Sequence, residues 1–455
     1  MAAVSLDDIF ADAPARVDRA AIRNSLAQLH PHFKVDSWVL PLPPWALRPY
    51  SESGPEAWTV LQHDLARTPR REQPICIYFH IPFCDAKCGF CDSYSFKLGG
   101  RRAQHVAAYS EMLCGEMALW CRQGDLRTRP VSTVHFGGGT PTFLDAAELA
   151  RIVDTCARTF AVTDKTEWAL ESTAAGMAPP MLASLHTWGF RRLHVGVQSM
   201  EDAVRTAIGR RSTATYVKHT IEAALALGWI VSVDLICGLP GQTFAGFLAG
   251  ISTLAELGVE GVSLYELLIY PQNRHWADQH LLTSRSHLPN YVFFCAGSQL
   301  LEQLGYRKNL FNHWAKGRDD NRYFTFPARG EDLLAMGTIA DGVFGDYHYR
   351  HPRYQGYRQS QAADFPALEG GLRRTAWENK VWPLMTALLS GCMPATLPAA
   401  VLGEAGDQLV LDWVENGLLT PADGSYMLSS SGSWFVGNMM RMLTLPPAGT
   451  PQPAG

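Results

Sequence analysis

The stretch ICIYFHI (residues 75–81), running without a break into PFCDAKCGFCDSYSF (82–96), decides how this chain is read. A run of β-branched and aromatic residues predicts a strand, and its near-continuous apolarity marks one buried on both faces, as in a parallel sheet. Just past its C-terminal end stand Cys84, Cys88 and Cys91, spaced C-x3-C-x2-C. Three thiolates this close can converge on one soft metal centre.

Working outward, further strands are expected at VSTVHFG (131–137), EWALEST (167–173), RLHVGVQS (192–199), VSVDLICG (231–238) and GVSLYELL (261–268). Helical patterns lie between them, near 103–122, 145–159, 178–188, 214–228 and 244–257. Alternation of this kind means a parallel sheet with right-handed crossovers. Six units fall short of the eight that close a full barrel. The expected fold is therefore α/β, a partial, open (β/α)6 barrel over 73–290, with ligands beyond the C-terminal strand ends.

Around the barrel the chain divides further. Residues 1–72 contain the proline-rich run WVLPLPPWALRPYSESG, which predicts an irregular arm laid over the barrel. Residues 291–374 read as a connecting and substrate-covering region, loop-rich and aromatic around Trp314, Tyr323 and Phe326. Residues 375–443 read as a mainly helical cap: two helices, then a hairpin at Asp423-Gly424, in a winged-helix-like layout. The end, 444–455, reads as a disordered tail.

The composition narrows the function. The 455 residues carry 39 basic and 43 acidic side chains, a net charge of −4, so there is no basic field for nucleic acid. No apolar run reaches the roughly 18 residues needed to span a membrane, and the N-terminus lacks a secretory pattern. A cytoplasmic protein is expected, with its ten cysteines reduced. Seven of them, Cys76, Cys114, Cys121, Cys156, Cys237, Cys295 and Cys392, are scattered through strand and helix patterns and are expected to be buried apolar residues.

For the remaining three, an iron–sulfur cluster competes with zinc. Structural zinc wants four protein ligands, commonly two C-x2-C pairs, and no second pair exists here. Three ligands on a [4Fe–4S] cluster leave one iron open to a small chelating molecule. Asp234 is the other anomaly, a carboxylate in the otherwise apolar run VSVDLICG, and burial of a carboxylate is costly unless it is bonded or paired. His135 and His194, also in apolar strands, read as core histidines with satisfied hydrogen bonds.

The C-x3-C-x2-C loop after a first strand, with Phe90 before the last cysteine, resembles the radical S-adenosylmethionine (SAM) enzymes. HIPFC, with Tyr78 and His80 before it, and GGGTPT, GVQS, DLICGLPGQT and DLLAMG in that order, resemble the oxygen-independent coproporphyrinogen III oxidase-like family, over about 70 to 440. The resemblance implies a [4Fe–4S] cluster on Cys84, Cys88 and Cys91, and SAM reductively cleaved to a 5′-deoxyadenosyl radical. It implies SAM contacts from Tyr78, Phe90, Gly138, Gly139, Thr140, Glu171, Gln198, Arg210, Asp234 and Leu268. Arg210 would pair with a SAM carboxylate, a task suited to guanidinium, with Arg211 as its rival. A small-molecule substrate and a reductant such as flavodoxin or ferredoxin are further implications.

In the oxidase itself a fourth cysteine stands two residues after the third ligand, and here that position is Ser93. The resemblance then points to relatives without that cysteine: C-methyltransferases that use two SAM molecules, haem chaperones and haem-degrading enzymes. C-methylation or a related alkylation of an aromatic, heterocyclic or tetrapyrrole substrate is the leading expectation. Porphyrinogen oxidation and haem trafficking, with His80 or another histidine as the iron ligand, are the alternatives.

Overall fold

The computed structural model describes residues 5–29, 33–67, 70–283, 286–359 and 366–444. In it ICIYFHI forms strand β1 (Ile75–Ile81), buried at six of its seven positions. β2 (Val131–Gly138), β3 (Glu167–Ser172), β4 (Phe190–Gln198), β5 (Ile230–Cys237) and β6 (Gly261–Glu266) follow, each parallel to the one before. The crossovers are α1 (Arg102–Trp120), α2 (Ala146–Thr159), α3 (Pro179–Thr187), α4 (Ala214–Ala226) and α5 (Phe244–Leu257). α2 shows why they form: its buried residues, Leu149, Ile152, Val153 and Cys156, fall at i, i+3, i+4 and i+7, one apolar stripe against the sheet. α5 begins at Thr243, whose hydroxyl accepts from the Gly246 amide, and ends at Gly258 in the left-handed region.

The six expected strands are present, and the sheet is larger than they are. A seventh parallel strand, β7 (Asp332–Met336), pairs with the free side of β1. All five of its residues are buried, and its leading carboxylate is held by the fully buried Arg129, at 2.8 Å. This short run, opening on an acid, has no alternation to betray it. Antiparallel strands continue the sheet on both flanks: His313–Ala315 and Arg307–Leu310 beside β6, and Asp341–Phe344, Tyr347–Arg350, Gly370–Arg373 and Glu52–Ser53 beyond β7. The sheet of 13 strands therefore stays open. Residues 291–374, expected to connect and cover, supply helix α6 (Leu288–Gln303) and most of these flanking strands.

The arm is more regular than its prolines predict. Helix Gly54–Arg67 buries Ala57, Trp58, Leu61 and Leu65, and Glu52–Ser53 closes one sheet edge. The prolines confine the irregular part to 38–48, where Trp45 docks with 3% of its surface exposed. In the cap, α7 (Ala376–Leu389) opens on a Thr375–Glu378 capping box. A strand Cys392–Pro394, helices Leu397–Leu402 and Glu404–Glu415, and the hairpin Leu419–Ala422/Ser425–Leu428 follow. The tail expected at 444–455 lies outside the described residues except for Thr444.

Two further expectations are corrected. Of the seven scattered cysteines, Cys76, Cys156, Cys237 and Cys295 are buried, Cys114 and Cys121 are partly buried, and Cys392, on an outer strand of the small sheet, is exposed. Trp314, Tyr323 and Phe326 do not gather over the barrel mouth. Trp314 is buried beside β6, while Tyr323 sits inside the barrel, stacked on His135 with ring centroids 4.1 Å apart. Among the described residues no helix is long and apolar enough to cross a membrane.

At the N-terminal end of the strands, Arg192 bonds Glu167 at 2.9 Å and Asp319 at 2.8 Å, and Asp319 takes bonds from His313 and Ser232. These buried charges compensate one another, so the open chemistry lies at the other end.

Candidate active site

At the C-terminal ends of β1–β6 the strands surround a cavity of about 320 Å³. Every residue singled out from the sequence as a cluster or SAM contact lines it, except Tyr78. The Tyr78 hydroxyl lies 3.1 Å from His80 Nδ1, and its ring stacks on Tyr323, one layer behind the wall. Arg211 is exposed and absent from the wall, leaving Arg210 without its rival.

The cysteine loop is held from several sides. The Cys84 amide donates to Phe96 O (3.1 Å), the Gly89 amide to Ile208 O (3.2 Å) and the Cys91 amide to Cys88 O (3.2 Å). Asn273, 4% exposed, donates from Nδ2 to Phe90 O (3.0 Å) and Leu268 O (2.8 Å), tying the loop to the segment after β6. Cys84 Sγ lies 3.5 Å from Thr140 Oγ1, and Lys87 Nζ lies 3.6 Å from Cys91 Sγ. Burial pushes the Cys88 thiol up; the Arg210 guanidinium pulls the other way, and the Cys91 and Cys84 thiols add to the rise. Among the described residues no three Cys, His, Asp or Glu side chains stand close enough to chelate a single ion, the arrangement a closed zinc site requires.

Of the three glycines at the end of β2, Gly138 packs on the His80 ring and Gly139 on the cysteine loop itself. Gly138 has φ +105°, a conformation other residues rarely adopt. A Cβ on Gly139 would stand 2.6 Å from Phe83 O and 3.0 Å from Cys84 Sγ. The glycines read as an opening for ligand are also what lets the chain pack against its own cysteine loop.

Two of the cavity carboxylates, Glu171 and Asp234, are each paired with a histidine that the sequence reading placed in the core. His135 Nε2 lies 3.1 Å from Glu171 Oε1. Burial alone would raise the Glu171 carboxyl; the bond from His135 and the nearby imidazoles outweigh it and hold it below the usual range. His194 Nε2 lies 2.6 Å from Asp234 Oδ1, and although burial disfavours the imidazolium, the Asp234 charge and bond raise the His194 pKa. Asp234 is thus paired with an imidazole rather than capping a loop amide. The missed signal was period 2: His135, Gly137, Glu171, His194, Gly196 and Asp234 share one parity along neighbouring strands and so face one side.

Gln198 ends β4 at φ +69°, where a register shift between Gly196 and Gln198 bulges the strand and re-aims its side chain. Gln198 Oε1 and Arg210 Nε are buried without hydrogen-bond partners. Buried polar atoms of this kind call for a polar ligand. Tyr265 and Asn273 complete the set that sequence reasoning missed, one in the wall and one bracing it.

Comparison with known proteins agrees with this geometry. Residues 78–276 match the family described as the radical SAM superfamily. Anaerobilin synthase of Escherichia coli O157:H7 is 25% identical over 437 residues, covering 92% of this chain and 96% of that protein. The heme chaperone HemW of Bacillus subtilis is 33% identical over 277 residues, covering 59% and 70%. Oxygen-independent coproporphyrinogen III oxidase of Escherichia coli K12 is 28% identical over 329 residues, covering 68% and 70%. The solved structure of the Escherichia coli oxidase, HemN, matches with a TM-score of 0.75 at 22% identity, over 90% of this chain and 99% of that one, a likeness of fold. The chain is a radical SAM protein. Within that superfamily it belongs to the HemN-like family.

Membership brings a [4Fe–4S] cluster and SAM as cofactors. The residues present fit both: soft donors on one loop, a wall shaped by Gly139 against that loop, and unpaired polar atoms on Gln198 and Arg210 facing a polar ligand.

Proposed function

We propose that this chain is a radical SAM enzyme that acts on a tetrapyrrole, and that it converts its substrate to an open-chain tetrapyrrole. The observation that carries this is the correspondence with anaerobilin synthase along nearly the whole of both chains, arm and cap included. Bilins are open-chain tetrapyrroles, and coproporphyrinogen and heme, in the names of the other relatives, are cyclic ones. Ser93, where the resemblance places a cysteine in the oxidase, weighs against porphyrinogen oxidation. The relatives named above favour tetrapyrrole chemistry over the methyl transfer expected from the sequence. Haem trafficking through His80 is disfavoured, because the Tyr78 hydroxyl and the Tyr94 carbonyl engage both its ring nitrogens.

When bound, the cluster and SAM supply hydrogen-atom abstraction; the protein supplies position and shelter. Cys84, Cys88 and Cys91 hold the cluster on a loop braced by Asn273. Gly138, Gly139 and Thr140 offer backbone at close range, and Arg210 presents a guanidinium to a carboxylate. Glu171 and Asp234, oriented by His135 and His194, accept bonds from ammonium or hydroxyl groups. Phe90 lies under the Arg210 guanidinium, 5.6 Å from ring centroid to Cζ, and steadies it. A cavity of about 320 Å³ is at the small end of ligand sites, so a tetrapyrrole would extend out over its exposed lining residues, among them Ser93 and Tyr265.

The test is anaerobic reconstitution with iron and sulfide, then incubation with a reductant, methyl-labelled SAM and either haem or coproporphyrinogen III. An open-chain product with haem supports the reading. SAM cleavage with neither tetrapyrrole altered overturns it. Label in the product would restore methyl transfer as part of the reaction.

A further inference from the structure

A second and larger cavity, of about 850 Å³, lies among the antiparallel strands beyond β7, the arm and α7, and shares no lining residue with the first. Trp45 from the arm and Trp382 from α7 form an aromatic corner, edge to face with centroids 5.0 Å apart. The Arg374 guanidinium packs on both, 5.3 Å from the Trp45 centroid and 5.0 Å from that of Trp382.

Among the described residues, every Arg, Asp and Glu that lines this cavity has an ion-pair partner except Arg374. Arg48 is paired with Glu378, Arg70 with Asp332, Arg350 with Asp341, and Arg373 with Asp64 and Asp346. The fifth lining acid, Glu331, is paired with Arg329. Arg374, 9% exposed, has no carboxylate within 4.0 Å among the described residues. It donates only to neutral acceptors: Asn379 Oδ1 at 2.9 Å, Gly345 O at 2.9 Å and His348 Nε2 at 3.4 Å. His348 is itself kept neutral, its pKa pushed down to about 3 by burial and then by Arg374 and Arg48. Burial pulls the Arg374 pKa below its ordinary value, and the carboxylates of Asp346, Glu378 and Asp332, all beyond ion-pair distance, offset only part of that cost, as do the indole faces.

We propose that this cavity is a second ligand site, for a planar aromatic acid of tetrapyrrole size whose carboxylate meets Arg374 and whose ring packs on Trp45 and Trp382. The carboxylate and the aromatic wall rest on the cavity alone. The tetrapyrrole ring rests on the function proposed above and on the volume, which is near the top of the roughly 300–1,000 Å³ usual for small-molecule sites. The site holds its ligand away from the cysteine loop, as a store or a sensor of the compound the enzyme handles.

Full-length protein titrated with protoporphyrin IX, and separately with its dimethyl ester, provides the test, read by porphyrin absorbance and tryptophan quenching. The diacid is expected to bind with quenching and the ester about tenfold more weakly. Arg374→Gln should weaken the diacid about tenfold and leave the ester unchanged, while Arg374→Lys, which keeps the charge and guards against misfolding, should lose less. Binding should persist in a Cys84→Ala/Cys88→Ala/Cys91→Ala variant. Undiminished diacid affinity in Arg374→Gln, or loss of all binding in the cysteine variant, overturns the proposal. The two readings fail separately: no turnover of any tetrapyrrole with Arg374-dependent binding intact sinks only the proposed function, and turnover with a silent Arg374→Gln sinks only this site.

Discussion

His194 Nε2 stands 2.6 Å from Asp234 Oδ1, on neighbouring strands, with both side chains in the wall of the barrel-mouth cavity. Asp234, Glu171 and Asp319 all raise the His194 pKa above its ordinary 6.5, against the effect of burial. The imidazolium therefore fixes the Asp234 carboxylate in one orientation while it stays protonated. SAM affinity should fall as pH rises through that raised pKa, because the neutral ring gives up half of the ion pair. His194→Gln should weaken SAM binding about tenfold, roughly 1.4 kcal/mol, and flatten the pH dependence. Equilibrium binding of SAM to reconstituted protein across a pH series measures both; a variant as steeply pH-dependent as the parent would remove His194 from this role.

Gly139→Ala would place a methyl group 2.6 Å from Phe83 O and 3.0 Å from Cys84 Sγ, and the first of these is backbone that cannot step aside. A cost of about 1–3 kcal/mol is expected, together with less iron per chain after reconstitution. Gly100→Ala is the control: a Cβ there meets nothing within 4 Å, and stability should stay within about 0.5 kcal/mol. Iron analysis and thermal denaturation of the pair decide the matter, and equal iron content in the two variants would be the contrary result.

How much of this was legible beforehand follows from which forces leave a local trace. The parallel strands announce themselves, since burial on both faces gives continuous apolar runs, and the C-x3-C-x2-C spacing survives on one loop. β7 does not announce itself, because its five residues begin with Asp332, whose partners Arg129 and Arg70 lie over 200 residues away in sequence. The bracing of the site is hidden for the same reason. Nothing near Asn273 in sequence indicates that its amide reaches the Phe90 carbonyl, 183 residues earlier. His135 and His194 were read as core because one sequence shows their apolar neighbours, whereas their meaning lies in the parity they share with Glu171 and Asp234 on adjoining strands. The arm's helix was obscured by the prolines before it, although Ala57, Leu61 and Leu65 carry a clear four-residue period.

Glu116 and His351 form a fully buried pair, 2.6 Å apart, that ties α1 to the segment just after the flanking strand Tyr347–Arg350. Tyr357 and Trp120 also donate to the carboxylate. Burial opposes ionisation of both groups, yet the pairing wins, so Glu116 sits below its ordinary 4.5 and His351 above its ordinary 6.5. The Glu116 contribution is present above its unfolded pKa and is lost as pH falls through the folded one. That of His351 is present below its unfolded pKa and is lost as pH rises through the folded one. Stability owed to this pair is greatest between those limits. Glu116→Gln should cost about 3 kcal/mol in that window and less on either side, as denaturant unfolding across a pH series would reveal. A difference that stays constant with pH would show that the pair contributes no charge interaction.

Asn273 offers the sharpest separation between bracing and bulk packing, because its two ends do opposite things. Its Nδ2 donates to two carbonyls, Phe90 O and Leu268 O, while its Oδ1 accepts the Tyr270 amide at 2.7 Å. Asn273→Ala removes all three bonds and leaves half-buried backbone groups unpaired, at a cost of about 1 kcal/mol each. Asn273→Asp keeps the size and the acceptor but turns a donor into a negative oxygen facing two carbonyl oxygens, so it should loosen the cysteine loop more than alanine does. Hydrogen exchange over 84–91 should quicken in the order parent, Asn273→Ala, Asn273→Asp, and iron retained under a chelator should fall in the same order. If size alone mattered, the aspartate variant would instead match the parent, and the reversal of order between the two substitutions is what distinguishes a hydrogen-bonded clamp from simple filling of space.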